Sequence, residues 1–156
     1  MSGDQPPVRC QSIPLHLVNE ERGFLLAGEV SDHVPFPVQR FFVVGAVPNG
    51  EVRGGHAHRR GEQLLVAVSG SLVVDAWYAD DHERHVLQAS GPALQVPPGT
   101  FTCQSQFSQG ALLLVLCSDS YDPADYIEAE EFFAGGNDPA PDNATPQPVG
   151  TGGSRG

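Results

Sequence analysis

Gly50-Glu51-Val52-Arg53-Gly54-Gly55-His56-Ala57-His58-Arg59-Arg60-Gly61-Glu62, followed by a closing Gly70, is the densest chemical signal in the chain. It runs from one turn into a strand and out through the next turn. Successive side chains of a strand point to opposite faces, so His56 and His58 project to the same side and share one pocket. Glu62 lies close enough along the chain to join them. Two imidazoles and a carboxylate can hold a metal ion, as in the two-histidine, one-carboxylate face of non-haem iron sites. Without metal, two groups that titrate near neutrality suit acid/base work on carbon acids.

The rest of the sequence supports an all-β setting for this pocket. Apolar runs bounded by turn residues predict strands at Phe24 to Glu29, Phe41 to Val47, Gln63 to Val68, Ser71 to Tyr78, His85 to Ala89, Ala93 to Val96 and Ala111 to Ser118. Between them recur Pro48-Asn49-Gly50, Ser69-Gly70-Ser71, Ser90-Gly91-Pro92 and Pro97-Pro98-Gly99, the turn spacing of a sandwich or barrel. Only Pro123 to Phe133 is expected to be helical, with Asp122 as its N-cap. Ala111 to Leu116 is continuously apolar, which predicts burial on both faces by a second layer or a partner subunit. A homodimer fits that expectation.

The spacing Gly50-x5-His56-x-His58-x3-Glu62-x7-Gly70 resembles the first motif of the cupins. The implied fold is an RmlC-like jelly roll, an antiparallel β-barrel, here with a short C-terminal helix. Cupins carry a fourth metal ligand, a histidine, in a second motif of the form G-x5-P-x-G-x2-H. This chain supplies Gly91, Pro97 and Gly99 at those spacings, and then Thr102. A hydroxyl is a poor ligand beside imidazoles, which shifts the reading of the histidine pair from metal ligation toward acid/base catalysis without cofactor.

A longer set of matches narrows the family. Glu21 to Glu29, Val34 to Arg40, Arg53 to His58, Glu62-Gln63 and Ser118 to Ile127 together resemble the cupin-type nucleotide-sugar 3,4-ketoisomerases. That resemblance implies a metal-free homodimer acting on a dTDP-4-keto-6-deoxyhexose and moving its carbonyl from C4 to C3. It implies His56 as the base at the sugar and His58 as its partner, relaying protons or fixing a tautomer. It also implies Arg22, Arg40, Arg53, Gln63, Thr102 and Tyr126 as substrate-binding residues. Two positions depart from the family: Phe42 stands where a tyrosine is usual, and Thr102 where a large polar residue, often histidine, is usual. A sugar-nucleotide binder without catalysis, and a metal-dependent cupin enzyme using His56, His58 and Glu62, are the alternative readings.

Composition sets the outer limits. The chain has 156 residues and a formal charge of −11, from 19 acidic residues against 8 basic ones. That balance repels a phosphate backbone, so no nucleic-acid partner is expected. No stretch approaches the ~18 consecutive apolar residues of a membrane helix, and the start, Met1 to Pro7, lacks the form of a secretory signal. A soluble, cytoplasmic protein is the expectation. Cys10, Cys103 and Cys117 form no CxxC pattern and read as reduced, structural residues. The expected organisation is an N-terminal extension at 1–12, a cupin domain at 13–134 and a disordered Gly/Pro-rich tail at 135–156.

Overall fold

A computed structural model describes residues 8–134, so the expected tail lies outside the described residues. The strands in chain order are β1 (Gln11–Ile13), β2 (His16–Glu20), β3 (Gly23–Ala27), β4 (Arg40–Gly45), β5 (Arg53–His58) and β6 (Gln63–Ser69). They continue as β7 (Ser71–Trp77), β8 (His82–Gln88), β9 (Ala93–Val96), β10 (Phe101–Ser105), β11 (Leu112–Cys117) and β12 (Tyr126–Glu128), before the helix α1 (Ala129–Phe133). Two five-stranded antiparallel sheets result, ordered β1-β9-β6-β11-β4 and β12-β5-β10-β7-β8. This is the jelly-roll sandwich of an RmlC-like cupin, with its strands grouped in two ladders. β1 takes in Gln11 and Ser12, residues assigned on sequence to the N-terminal extension.

Alternation along the strands builds three apolar layers. Leu65, Leu94, Leu113 and Val115 from the first sheet meet Leu72 and Val74 from the second between the sheets. The outer face of the first sheet, with Leu64, Val66 and Ala93, lies under Val34 and Phe36. The outer face of the second, with Ala57, Trp77, Phe101 and Cys103, lies under Phe132 and Phe133 of α1. β11 therefore meets apolar groups on both faces: Leu113 and Val115 inside, Leu114 and Leu116 outside. Cys103 and Cys117 are buried within strands and Cys10 is half-buried, and none of the three is in a disulfide.

The C-terminal segment differs from the single helix expected over 123–133. Pro123–Asp125 makes one 3-10 turn, capped by the Asp122 side chain accepting from the Ala124 N–H. The chain then extends as β12, with Tyr126 opposite His58 and Glu128 opposite His56, before α1 begins. Local helical preference gives way because pairing with β5 satisfies the backbone and Ile127 joins the cluster around Trp77. β2 and β3 form a hairpin that pairs with neither main sheet.

Candidate active site

β5 enters the site through a bulge. Thr102 lies opposite His56, Cys103 opposite Gly54 and Gln104 opposite Arg53, so β5 carries one extra residue, Gly55. An extra residue reverses the alternation of side chains at that point. Arg53, which strict alternation would place on the other face, is thereby turned onto the face of His56 and His58. Gly54 and Gly55 adopt left-handed φ of 78° and 84°. A Cβ on Gly54 would stand 2.8 Å from the Thr102 carbonyl oxygen, so the bulge needs glycine there.

The other end of β5 is pinned by backbone groups. The Gly99 N–H donates to the His58 carbonyl at 2.7 Å, and the Arg59 N–H donates to the Asp125 carbonyl at 2.8 Å. Asp125 then turns its carboxylate back: Oδ1 accepts from the Arg60 N–H at 2.8 Å, and Oδ2 accepts from the Gly61 N–H at 3.3 Å. The same Oδ2 stands 3.1 Å from His58 Nδ1. A Cβ at position 61 would lie 2.9 Å from that oxygen, so glycine is what admits the carboxylate. On the opposite side of the ring, Gln63 Nε2 stands 3.2 Å from His58 Nε2.

Electrostatics follow from this burial. Loss of solvent pushes the His58 pKa below the ordinary imidazole value, an effect that the Asp125 carboxylate opposes only in part. Burial would raise Asp125, but the Arg60 N–H, His58 and the Gly61 N–H together hold it below the usual carboxylate range. At neutral pH the pair is thus a neutral imidazole beside a carboxylate.

Around this pair stand aromatic and cationic groups. The Tyr126 ring lies 4.6 Å from the His56 ring and 4.7 Å from that of His58, which are themselves 5.1 Å apart edge to face. The Arg40 guanidinium lies over Phe42 at 5.2 Å and Tyr121 at 5.4 Å. Arg40 Nε and the Tyr126 hydroxyl are each buried without a hydrogen-bond partner among the described residues. A recess of about 320 Å³ is lined by Arg53, His56, Gln63 and Gln104 together with the apolar Phe42, Val44, Leu65 and Val115. A second, of about 240 Å³, is lined by Arg40, His58, Gln63, Cys117, Asp125 and Tyr126 among others. Gln63 is common to both.

Of the residues named from sequence, the fold brings His56, His58, Arg40, Arg53, Gln63 and Tyr126 together. Thr102 is buried on β10 opposite His56, its hydroxyl accepting from Gln104 Nε2 at 3.4 Å. Arg22 is not with them: it sits in the β2–β3 turn with an 85% exposed side chain, paired to Glu20. Glu62 does not join the histidines either, because its Oε2 accepts from Gln95 Nε2 at 3.1 Å. Among the described residues no group of three or more His, Cys, Asp or Glu side chains is arranged to hold a metal ion. The sequence reading missed Asp125 and Gln104. The signal for Asp125 was its place directly before Tyr126 in the Ser118 to Ile127 match.

The family model for FdtA, described as WxcM-like, C-terminal, matches residues 8–136. The chain belongs to this family. A curated relative from Aneurinibacillus thermoaerophilus, TDP-4-oxo-6-deoxy-alpha-D-glucose-3,4-oxoisomerase, is 32% identical over 114 residues, covering 73% of this chain and 82% of the relative. Among solved structures, the WlaRB TDP-quinovose 3,4-ketoisomerase of Campylobacter jejuni is 33% identical with a TM-score of 0.73, covering 80% of this chain and 97% of that one. QdtA of Thermoanaerobacterium thermosaccharolyticum is similar at 26% identity and a TM-score of 0.76, covering 80% and 91%. That QdtA structure is of a histidine-to-asparagine variant in complex with TDP-4-keto-6-deoxyglucose. This FdtA-family chain thus shares its fold with sugar 3,4-ketoisomerases. Among the described residues no helix is long and apolar enough to cross a membrane.

Proposed function

We propose that this chain is a sugar-nucleotide 3,4-ketoisomerase that moves the carbonyl of a dTDP-4-keto-6-deoxyhexose from C4 to C3. The observation that carries this reading is the recess in which His56 and Arg53 face the same space, on a strand bulged to place them there. The C4 carbonyl acidifies the proton on C3, which His56 would remove as general base. Charge then develops on O4, and Arg53 supplies a fixed positive charge on the same face. The resulting enediol returns one proton to C4 and moves another from O3 to O4, so that C3 becomes the carbonyl and the sugar gains and loses no atoms. No oxidant enters this sequence.

Arg40 and Tyr126 would contact the substrate from the neighbouring recess, and Thr102 would border the sugar from β10. The apolar wall of Phe42, Val44, Leu65 and Val115 suits the methyl group of a 6-deoxy sugar. A homodimer is part of the same reading. Phe24 and Leu25 of the hairpin and Phe41 and Val43 of β4 are all exposed, an apolar surface of the kind that a second copy covers. In such a dimer the hairpin tip would carry Arg22 to the other copy's recess. A nucleotide-sugar substrate goes with a cytoplasmic location.

The test is product formation from TDP-4-keto-6-deoxyglucose carrying carbon-13 at C4, followed by NMR. The expected result is loss of the labelled carbonyl signal and growth of a labelled carbinol at C4. Tight binding of the nucleotide sugar with an unchanged carbonyl would instead favour a non-catalytic binder.

A further inference from the structure

We propose that Asp125, acting through His58, sets the orientation of the Gln63 carboxamide so that its Oε1 faces the recess of His56 and Arg53 and accepts a hydrogen bond from a substrate hydroxyl. The identity of that hydroxyl as a sugar hydroxyl rests on the ketoisomerase reading. The orientation itself does not.

The argument is one of donors and acceptors. An ionised carboxylate only accepts, and Asp125 already accepts from two backbone N–H groups. His58 Nδ1, 3.1 Å from Asp125 Oδ2, must therefore carry the proton. A neutral imidazole protonated at Nδ1 offers a bare lone pair at Nε2, and the partner there must donate. At Gln63 the donor is the amide nitrogen, at 3.2 Å. The same nitrogen also reaches the Cys117 Sγ at 3.9 Å, which gives its second N–H a weak acceptor on the far side from the sugar recess. Both N–H groups being engaged, Oε1 is the part of the carboxamide left for the recess that Gln63 also lines.

Were His58 protonated on both nitrogens, Nε2 would need an acceptor and the carboxamide would turn over, presenting NH2 to the substrate. The charged and titratable groups around His58 are Asp125 from the 3-10 turn, Asp119 and Asp122 from the segment before it, Glu62 from the turn after β5, Arg40 from β4, Cys117 from β11, Tyr126 from β12 and His56 on its own strand. His58 is thus held at both nitrogens, and Asp125 is a positioning residue that acts through it.

Two readouts test this. Long-range nitrogen–proton NMR on nitrogen-15 histidine-labelled protein reports the tautomer of His58 without any substrate. Wild type is expected to show the neutral Nδ1–H form at pH 7.5, and Gln63→Glu, which can only accept, is expected to shift His58 to the doubly protonated form. An Nε2–H tautomer or an imidazolium in the wild type would overturn the proposal, whether or not the chain turns over a sugar. In kinetics, Gln63→Leu is expected to raise KM by roughly 10-fold, the loss of one good hydrogen bond. Adding Asp125→Asn to Gln63→Leu should cost little more than Gln63→Leu alone if Asp125 acts through Gln63. Fully multiplicative losses in a folded double variant would contradict the coupling.

Discussion

His58 Nδ1 and Asp125 Oδ2 stand 3.1 Å apart although 67 residues separate them in sequence, and both side chains are almost wholly buried. This contact ties the strand bearing the histidine pair to the C-terminal segment. It also makes stability depend on pH, with a sign that can be worked out. His58 has a folded pKa below its unfolded one, so between the two the unfolded chain binds more protons and stability falls as pH falls from near 6.5. Asp125 is also depressed, so its contribution is present above the unfolded carboxylate pKa and is lost as pH falls through the folded value. Both slopes run the same way.

Thermal unfolding from pH 8 to pH 4 should therefore show a falling midpoint, and Asp125→Ala should flatten part of that fall. The same variant should be destabilised by about 3 kcal/mol at pH 7.5, the cost of stripping a partner from buried polar groups. A midpoint that rises on acidification would contradict the pairing.

Gly54→Ala tests the bulge. Its Cβ would meet the Thr102 carbonyl at 2.8 Å with φ at 78°, so a cost of about 1–3 kcal/mol is expected. Activity should fall further than stability, because the strand must move Arg53 away from the face of His56. Denaturant unfolding and kcat/KM on the same preparation separate the two effects.

Phe42→Tyr places a hydroxyl at the wall of the recess, where in the proposed reaction O3 and O4 of the sugar would exchange a proton. A rise in kcat of about 10-fold at nearly constant KM is expected if that exchange limits turnover. An unchanged kcat would assign the oxygen proton transfer to groups already present.

The hairpin makes a prediction about assembly. Leu25→Asp puts a charge on the exposed apolar face and should convert a dimer to a monomer in light scattering at micromolar concentration. Arg22→Ala should leave the dimer intact and raise KM by about 10-fold, because in the proposed dimer it would remove a charge from the other copy's site. A monomeric wild type would contradict this arrangement.

Much of the fold could be read from period and punctuation. Apolar runs between Gly- and Pro-rich turns indicated an all-β sandwich or barrel, and the resemblance of the spacing of Gly50, His56, His58, Gly91, Pro97 and Gly99 to the cupin motifs implied the jelly roll and the pocket. Other features needed three dimensions. The bulge at Gly55 cannot be seen in a period-two pattern, so the placement of Arg53 beside His56 came from register and not from spacing. Glu62 looked like a partner for the histidines because it is near in sequence, but its carboxylate went to Gln95 on a neighbouring strand. The true partner, Asp125, was hidden in a segment whose helical look, Asp122-Pro123 followed by acids, concealed a short strand. Arg22 was legible as a residue of interest, while its position on a detached hairpin was not.

The central claim, that His56 removes the proton from C3, is tested most directly by proton NMR of TDP-4-keto-6-deoxyglucose in deuterated water with wild type and with His56→Asn. Wild type should lose the C3 proton and carry deuterium at C4 of the 3-keto product, and His56→Asn should bind the nucleotide sugar while losing that exchange by at least about 100-fold. Exchange at the wild-type rate in His56→Asn would contradict the claim.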